Sequence, residues 1–145
     1  MKERMKLPVS VHLFLRKENE ILLLKRYNTG YEDGNYSVVA GHIEGNESVF
    51  EAMIRETEEE AGISIERHNL IPIQVMHRKK SDGEYIDYFF VSENWEGTVE
   101  NMEPNKCDDL SWFPIDSLPE NMVKYVEAAI KNYRKKILFS EHGWQ

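Results

Sequence analysis

Between Gly41 and Ile63 the chain reads GHIEGNESVFEAMIRETEEEAGI, and Glu56, Glu58, Glu59 and Glu60 crowd the C-terminal end of what should be one helix. Phe50, Met53, Ile54, Thr57 and Ala61 recur at helical spacing. They predict a buried stripe on an amphipathic helix from about Ser48 to Ala61, with Gly62 placed to end it. At about 100° per residue, Glu56, Glu59 and Glu60 share an arc beside that stripe, whereas Glu51 and Glu58 point elsewhere. Like charges at these spacings repel and the negative end of the helix dipole adds to the cost, each term being roughly a few tenths of a kcal/mol to about 1 kcal/mol. A segment shaped by folding alone would carry lysines there. A bound cation offsets the repulsion, and an all-oxygen carboxylate set suits a hard ion, Mg²⁺ or Mn²⁺, over Zn²⁺.

A solvated glutamate-rich face is the ordinary reading of an isolated charge run. The spacing around this run points elsewhere. Gly41, then Glu47, then Arg55-Glu56, Glu59-Glu60, Gly62 and Ile63 stand at the intervals of the full Nudix hydrolase signature, which the segment resembles. Coincidence at seven such positions is on the order of one in a hundred thousand sequences of this composition. Two places depart from the family's usual pattern. Thr57 stands where a larger aliphatic is common, and Tyr36-Ser37-Val38-Val39-Ala40-Gly41 replaces a Trp-x-Leu-Pro-Gly-Gly run. A weaker likeness continues through Trp95–Pro119.

The resemblance implies hydrolysis of a nucleoside diphosphate linked to another group, by water attacking phosphorus with divalent ions bound. Glu56, Glu59 and Glu60, with the backbone at Gly41, are then the expected holders of Mg²⁺, with Mn²⁺ as the alternative. Arg55 is expected to hold glutamate side chains in register, and Glu47 to position the loop or complete the ion's shell. Gly41 and Gly45 suit a loop whose backbone comes close to ion or phosphate, and Asn46 tolerates left-handed geometry. Glu59 or Glu60 inside the box, or Glu103, Asp108 or Asp109 downstream, could serve as general base; Glu60 and Glu103 are favoured. Arg26 and Tyr36 are candidate substrate contacts, and so is Glu44, which is open also to loop support or ion contact. A nucleoside triphosphate, oxidised or ordinary, is the preferred substrate. A nucleotide or ADP-ribose sensor without turnover and an enzyme acting on RNA 5′ ends are the alternatives.

The elements that must position these groups form an α+β pattern. Strands are predicted at Val9–Leu15, Ile21–Lys25, Tyr36–Ala40, Leu70–His77, Tyr85–Ser92 and Leu110–Pro114. A second helix is predicted over Pro119–Lys135, where Met122, Tyr125, Val126, Ala129, Ile130 and Tyr133 repeat at helical spacing. The resemblance implies a mixed sheet sandwiched between helices with the box on a loop–helix–loop. At 145 residues and 41% hydrophobic content, one domain spanning 1–145 is expected. No apolar run approaches membrane-spanning length and MKERMKLPVS lacks the apolar stretch of a signal peptide, so the expected location is the cytoplasm.

A net charge of −8 disfavours broad nucleic-acid binding but not a small phosphorylated substrate beside a divalent ion. Lys6, Lys17, Lys25, Arg26 and His77–Lys80 are the candidate positive lining. Tyr31, Tyr36, Tyr88, Phe89, Trp112 and Phe113 could stack a base, although aromatics on strands are more often core. Cys107 stands alone and reads as a small packed side chain. Dimerisation, common in the family, is left open.

Overall fold

The computed structural model describes residues 2–144. Strand β1 (Val9–Lys17) is buried along most of its length, as a strand covered on both faces must be. Val11, Leu13 and Leu15 point to one face and join Ala52, Met53 and Ala61 of helix α1 (Val49–Ala61) in one apolar cluster. Phe14, on the opposite face, packs with Met76, Phe89 and the Val126, Ala129 and Ile130 side chains of helix α2 (Lys124–Arg134). The result is an α+β architecture in which a mixed sheet lies between two helices.

The remaining strands are β2 (Glu20–Arg26), β3 (Tyr36–Ser37), β4 (Val39–His42), β5 (Ile71–Lys80), β6 (Gly83–Ser92), β7 (Cys107–Pro114) and β8 (Phe139–His142). The sheet runs β3-β2-β1-β6-β5-β8, with β4 paired to β1 and β7 to β2. The β1–β6 and β5–β8 pairs are parallel. Among the described residues no helix is long and apolar enough to cross a membrane.

Three elements differ from the sequence expectation. The predicted strand at Tyr36–Ala40 is broken at Val38, because its first part pairs with β2 (Leu24 opposite Ser37) and its second with β1 (Leu13 opposite Val39). Helix α2 begins at Lys124 instead of Pro119. Asn121–Val123 is drawn into backbone bonding with Tyr36, whose N–H donates to the Asn121 carbonyl and whose carbonyl accepts from Val123. Met122 still reaches the core, 2% exposed, from this non-helical position. Strand β8 carries no sequence signal; it is a four-residue edge strand whose one apolar residue, Phe139, is 59% exposed, while its partly buried positions are the polar Ser140 and His142.

Candidate active site

Helix α1 is stopped at both ends by local chemistry. The Ser48 side chain accepts from the Glu51 N–H and the Glu51 side chain accepts from the Ser48 N–H, a capping box. Gly62 closes the helix in the left-handed region at φ 69°, its N–H donating to the Glu58 carbonyl. Thr57, the small residue in the buried stripe, donates its hydroxyl to the Met53 carbonyl at 2.7 Å and so leaves no polar atom unpaired in the core.

This places Glu56, Glu59 and Glu60 on one wall of a cleft of about 460 Å³, and Glu103 lines the same cleft from the turn before β7. Glu60 accepts the Ala40 N–H at 3.0 Å. Its carboxyl is pushed up to about 8, first by burial and then by Glu56 and Glu103, while the Ala40 N–H opposes the rise. Burial also raises Glu56, against the pull of Arg55. Glu59 is about half exposed, with 52% of its side chain open.

Arg55 organises the cluster. Its Nε and Nη2 donate to the two oxygens of Glu47 at 3.1 and 2.8 Å, and Nη2 also donates to the His42 carbonyl. Its Nη1 donates to Glu56 at 2.8 Å and to Glu59 at 3.3 Å. The Glu47 carboxyl is held below the usual range, chiefly by Arg55 and next by the Glu44 N–H. Glu47 therefore serves the loop and the guanidinium rather than the cleft. Glu44 is 71% exposed and 3.8 Å from Arg55.

Gly41 lies directly against this cluster, and a Cβ there would collide with the Glu56 carboxylate. Space, not backbone torsion, demands glycine. Gly45 differs from expectation: a Cβ there meets open space, and the left-handed turn falls on Asn46 at φ 72°.

Among the described residues no three His, Cys, Asp or Glu side chains already converge as a ready-made ion cage. Arg55 Nη1 reaches Glu56 and Glu59, and Glu60 is turned to Ala40. The chemistry of the donor set nonetheless fits a hard divalent ion: four carboxylates face one cleft, two of them raised by burial and mutual repulsion, and Gly41 leaves room for the Glu56 carboxylate.

Of the downstream acids, Glu103 alone lines the cleft. Asp109 accepts from Ser111 and Tyr36, which hold its carboxyl low, and Asp108 is exposed. The same bond engages Tyr36, an expected substrate contact, outside the clefts. Its hydroxyl donates to Asp109, its ring meets Phe113 edge-on at 5.0 Å, and it lines neither the first cleft nor its neighbour. Arg26 lines both. A bulge between Lys25 and Arg26 in the β2–β7 pairing re-aims it, and its Nε donates to the Tyr31 carbonyl at 2.6 Å.

The neighbouring cleft, about 470 Å³, opens on the α2 face of the sheet and is lined by Ser10, His12, Arg26, Tyr31, Arg78 and Lys80 among others. Arg78 is 6% exposed, donates to both oxygens of Asp87 at 2.7 and 3.1 Å, and lies between the Tyr85 and Tyr125 rings. His12 stacks on Phe89 at 4.4 Å, with Nε2 2.9 Å from the Tyr125 hydroxyl. Ser10 Oγ is the one buried side-chain polar atom without a hydrogen-bond partner among the described residues. Ser10 and His12 are absent from the residues expected at a site, and Tyr125 is expected only as part of the core stripe of the second helix. The sequence carries a signal for two of them, since Ser10 and His12 are the polar positions within the otherwise apolar stretch Val9–Leu15.

Of the expected stacking aromatics, Tyr31 lines this second cleft, Phe89 is fully buried, and Trp112 stacks on Trp95 beside the α1 cluster. Cys107 is 7% exposed, a packed side chain at the edge of the first cleft.

A family model described as NUDIX domain matches residues 6–134. The chain is 28% identical over 127 residues to an ADP-ribose pyrophosphatase of Methanocaldococcus jannaschii, covering 88% of this chain and 73% of that protein. It is 26% identical to the 8-oxo-dGDP phosphatase NUDT18 of Mus musculus, over 77% of this chain and 33% of that one. It is 30% identical to the NAD-capped RNA hydrolase NudC of Stutzerimonas stutzeri, over 79% and 39%. A MutT NUDIX hydrolase from Burkholderia pseudomallei superposes with a TM-score of 0.80 at 25% identity, over 88% of this chain and 98% of that one.

Proposed function

This chain belongs to the NUDIX family of hydrolases, which use divalent metal ions on small nucleotide substrates, and from that premise we propose that it is a pyrophosphohydrolase cutting a nucleoside triphosphate, ordinary or oxidised, to the monophosphate and pyrophosphate. The observation that carries this reading is the convergence of Glu56, Glu59, Glu60 and Glu103 on one cleft that Arg26 joins to a second, aromatic and hydrogen-bonding one. Phosphates belong at the carboxylate end and the nucleoside in the second cleft.

Glu56, Glu59 and Glu60, with the backbone at Gly41, would hold the ion, and we assign Mg²⁺ in preference to Mn²⁺. Bound there, it would neutralise diphosphate oxygens and lower the pKa of a water. The chain's own groups do the rest. Arg55 keeps Glu56 and Glu59 in place from behind and stays charged throughout, its guanidinium raised chiefly by Glu47. Arg26 stands between the two clefts, where a guanidinium can orient a phosphate. We assign Glu60 or Glu103 as the carboxylate that takes the proton of the attacking water. Ser10 offers its unpaired hydroxyl to the nucleoside. The reading implies a cytoplasmic enzyme, where its substrates and Mg²⁺ are found together.

The test is a screen of the purified protein, with products separated by chromatography, against nucleoside triphosphates, oxidised nucleotides, nucleotide sugars, ADP-ribose and dinucleoside polyphosphates, with Mg²⁺, with Mn²⁺ and with chelator. Metal-dependent cleavage of triphosphates ahead of the other classes is expected. Cleavage confined to another class would reject the substrate, and nucleotide binding without any cleavage would reject catalysis.

A further inference from the structure

A third cleft adjoins the second. Tyr31, Arg78, Lys80 and Tyr125 line both, just as Arg26 lines the first and the second. The charge changes in order along this track. The first cleft is dominated by four glutamates. In the second, Arg78 is spent on Asp87, and Lys80 lies 3.6 Å from Asp82, so the lining is close to balanced. The third adds Lys79 and Lys124 to Arg78 and Lys80, with Glu32 as its acid. In a chain of net charge −8, this is a local inversion of sign.

Among the described residues Lys79 and Lys124 make no close ion pair, and Lys80 is shared with Asp82 at 3.6 Å. Lys80 rests over the Tyr31 ring at 4.3 Å, Lys79 over Trp144 at 5.1 Å, and Lys124 is 3.9 Å from Glu127. Lys124 also opens α2, whose N-cap Val123 supplies no side-chain acceptor to the first-turn amides. Between the two charged ends lies Ser10, 4% exposed and unpaired. A ligand that complements the whole track is anionic at both ends and neutral, polar and aromatic in the middle.

We propose that the substrate is a nucleoside 5′-polyphosphate bearing a second phosphate on its sugar, bound in the third cleft by Lys79, Lys80 and Lys124. This rests on placing the scissile phosphates at the carboxylates and the nucleoside in the middle cleft. The same chemistry comes from two sources: a free nucleotide with a 3′-phosphate, or the first nucleotide of a 5′-polyphosphorylated RNA, whose 3′-phosphate continues the chain.

The experiment compares hydrolysis of guanosine and adenosine 5′-triphosphates with their 3′-phosphorylated counterparts and with a short 5′-triphosphorylated RNA, in Mg²⁺. Wild-type protein should prefer the 3′-phosphorylated member of a pair by about tenfold in kcat/KM, a single charge-assisted contact's worth. In K79Q/K124Q, two exposed positions, that ratio should fall towards unity, whereas K131Q/K135Q, equal in charge and remote, should keep it. A wild-type ratio near unity with robust hydrolysis overturns the third-cleft assignment and leaves the triphosphatase reading standing. If nothing is hydrolysed, that reading fails instead, and metal-free binding decides the site. Nucleoside 3′,5′-bisphosphate held tighter than 5′-monophosphate, with the difference lost in K79Q/K124Q, supports it, and equal affinity overturns it. A further lysine-dependent gain for RNA over the 3′-phosphorylated nucleotide identifies RNA as the source; no gain identifies the free nucleotide.

Discussion

Gly41 and Glu56 touch so closely that one methyl group on the glycine would occupy the space of the carboxylate. The two belong to different elements, β4 and α1, so their contact fixes the box helix against the strand that precedes it. Gly41→Ala should displace Glu56 rather than unfold the protein, because that carboxylate is the end of a flexible side chain. We expect kcat to fall by about 100-fold, the usual consequence of an ångström-scale misplacement, with little change in melting temperature. A variant as active as wild type would remove Gly41 from the site.

Arg55 binds three glutamates through a planar fork, and a lysine supplies only one compact charge. Arg55→Lys should therefore keep the net charge and still lose about 10- to 100-fold in activity or in metal affinity, as supporting residues of metal sites do. A titration of rate against Mg²⁺ separates the two losses. Full activity at ordinary Mg²⁺ would reduce Arg55 to a surface ion pair.

Four carboxylates facing one cleft repel one another, so a divalent ion should stabilise the fold as well as the reaction. Mg²⁺ at about a hundred times its dissociation constant should add about 2.7 kcal/mol, read as a rise in melting temperature that chelator reverses. Glu59→Gln and Glu60→Gln should each blunt the rise and cut turnover by orders of magnitude. An unchanged rise in either variant would exclude that residue as a ligand.

His12 gives the fold a sensitivity to mild acid. Burial lowers its pKa to about 4; Asp87 and the Tyr88 carbonyl pull the other way, and Arg78 and His42 add to the lowering. The ordinary value of 6.5 returns on unfolding, so between pH 6.5 and about 4 the unfolded chain binds the extra proton. Stability from this source is complete above pH 6.5 and declines as pH falls through that window, by on the order of 3 kcal/mol in total. Denaturant titrations at pH 7 and pH 4.5 should show a smaller difference for His12→Gln than for wild type. Equal differences would mean that His12 is protonated in the folded protein.

Helix α1 was legible in the sequence because everything that makes it is local: Ser48 and Glu51 as cap, the Met53–Thr57–Ala61 stripe, and Gly62 as stop. The carboxylate wall followed from helical spacing alone. The second and third clefts were not legible in the same way. They exist because the parallel β1–β6 pair sets Ser10 opposite Asp87, the partner of Arg78, and the parallel β5–β8 pair sets His142 opposite Arg78, from distant stretches with no shared local signal. The sequence offers Tyr36 as an aromatic that could stack a base, but its hydroxyl bonds Asp109, 73 residues on, a partner no local pattern names. The start of α2 is set by a related contact, because Tyr36 also bonds the backbone of Asn121 and Val123.

The parallel pairing of β1 with β6 has a consequence for how the chain is made. His12 lies against the backbone of Tyr88, 76 residues downstream. At roughly 5–20 residues per second of synthesis, that stretch takes roughly 4–15 s to emerge. For those seconds β1, with Val11, Leu13, Phe14 and Leu15 destined for full burial, can pair with β2 and β4 but lacks its other neighbour. A nascent chain arrested before residue 83 carries the whole glutamate box and an open apolar strand edge, so it should be captured by a holding chaperone while still on the ribosome.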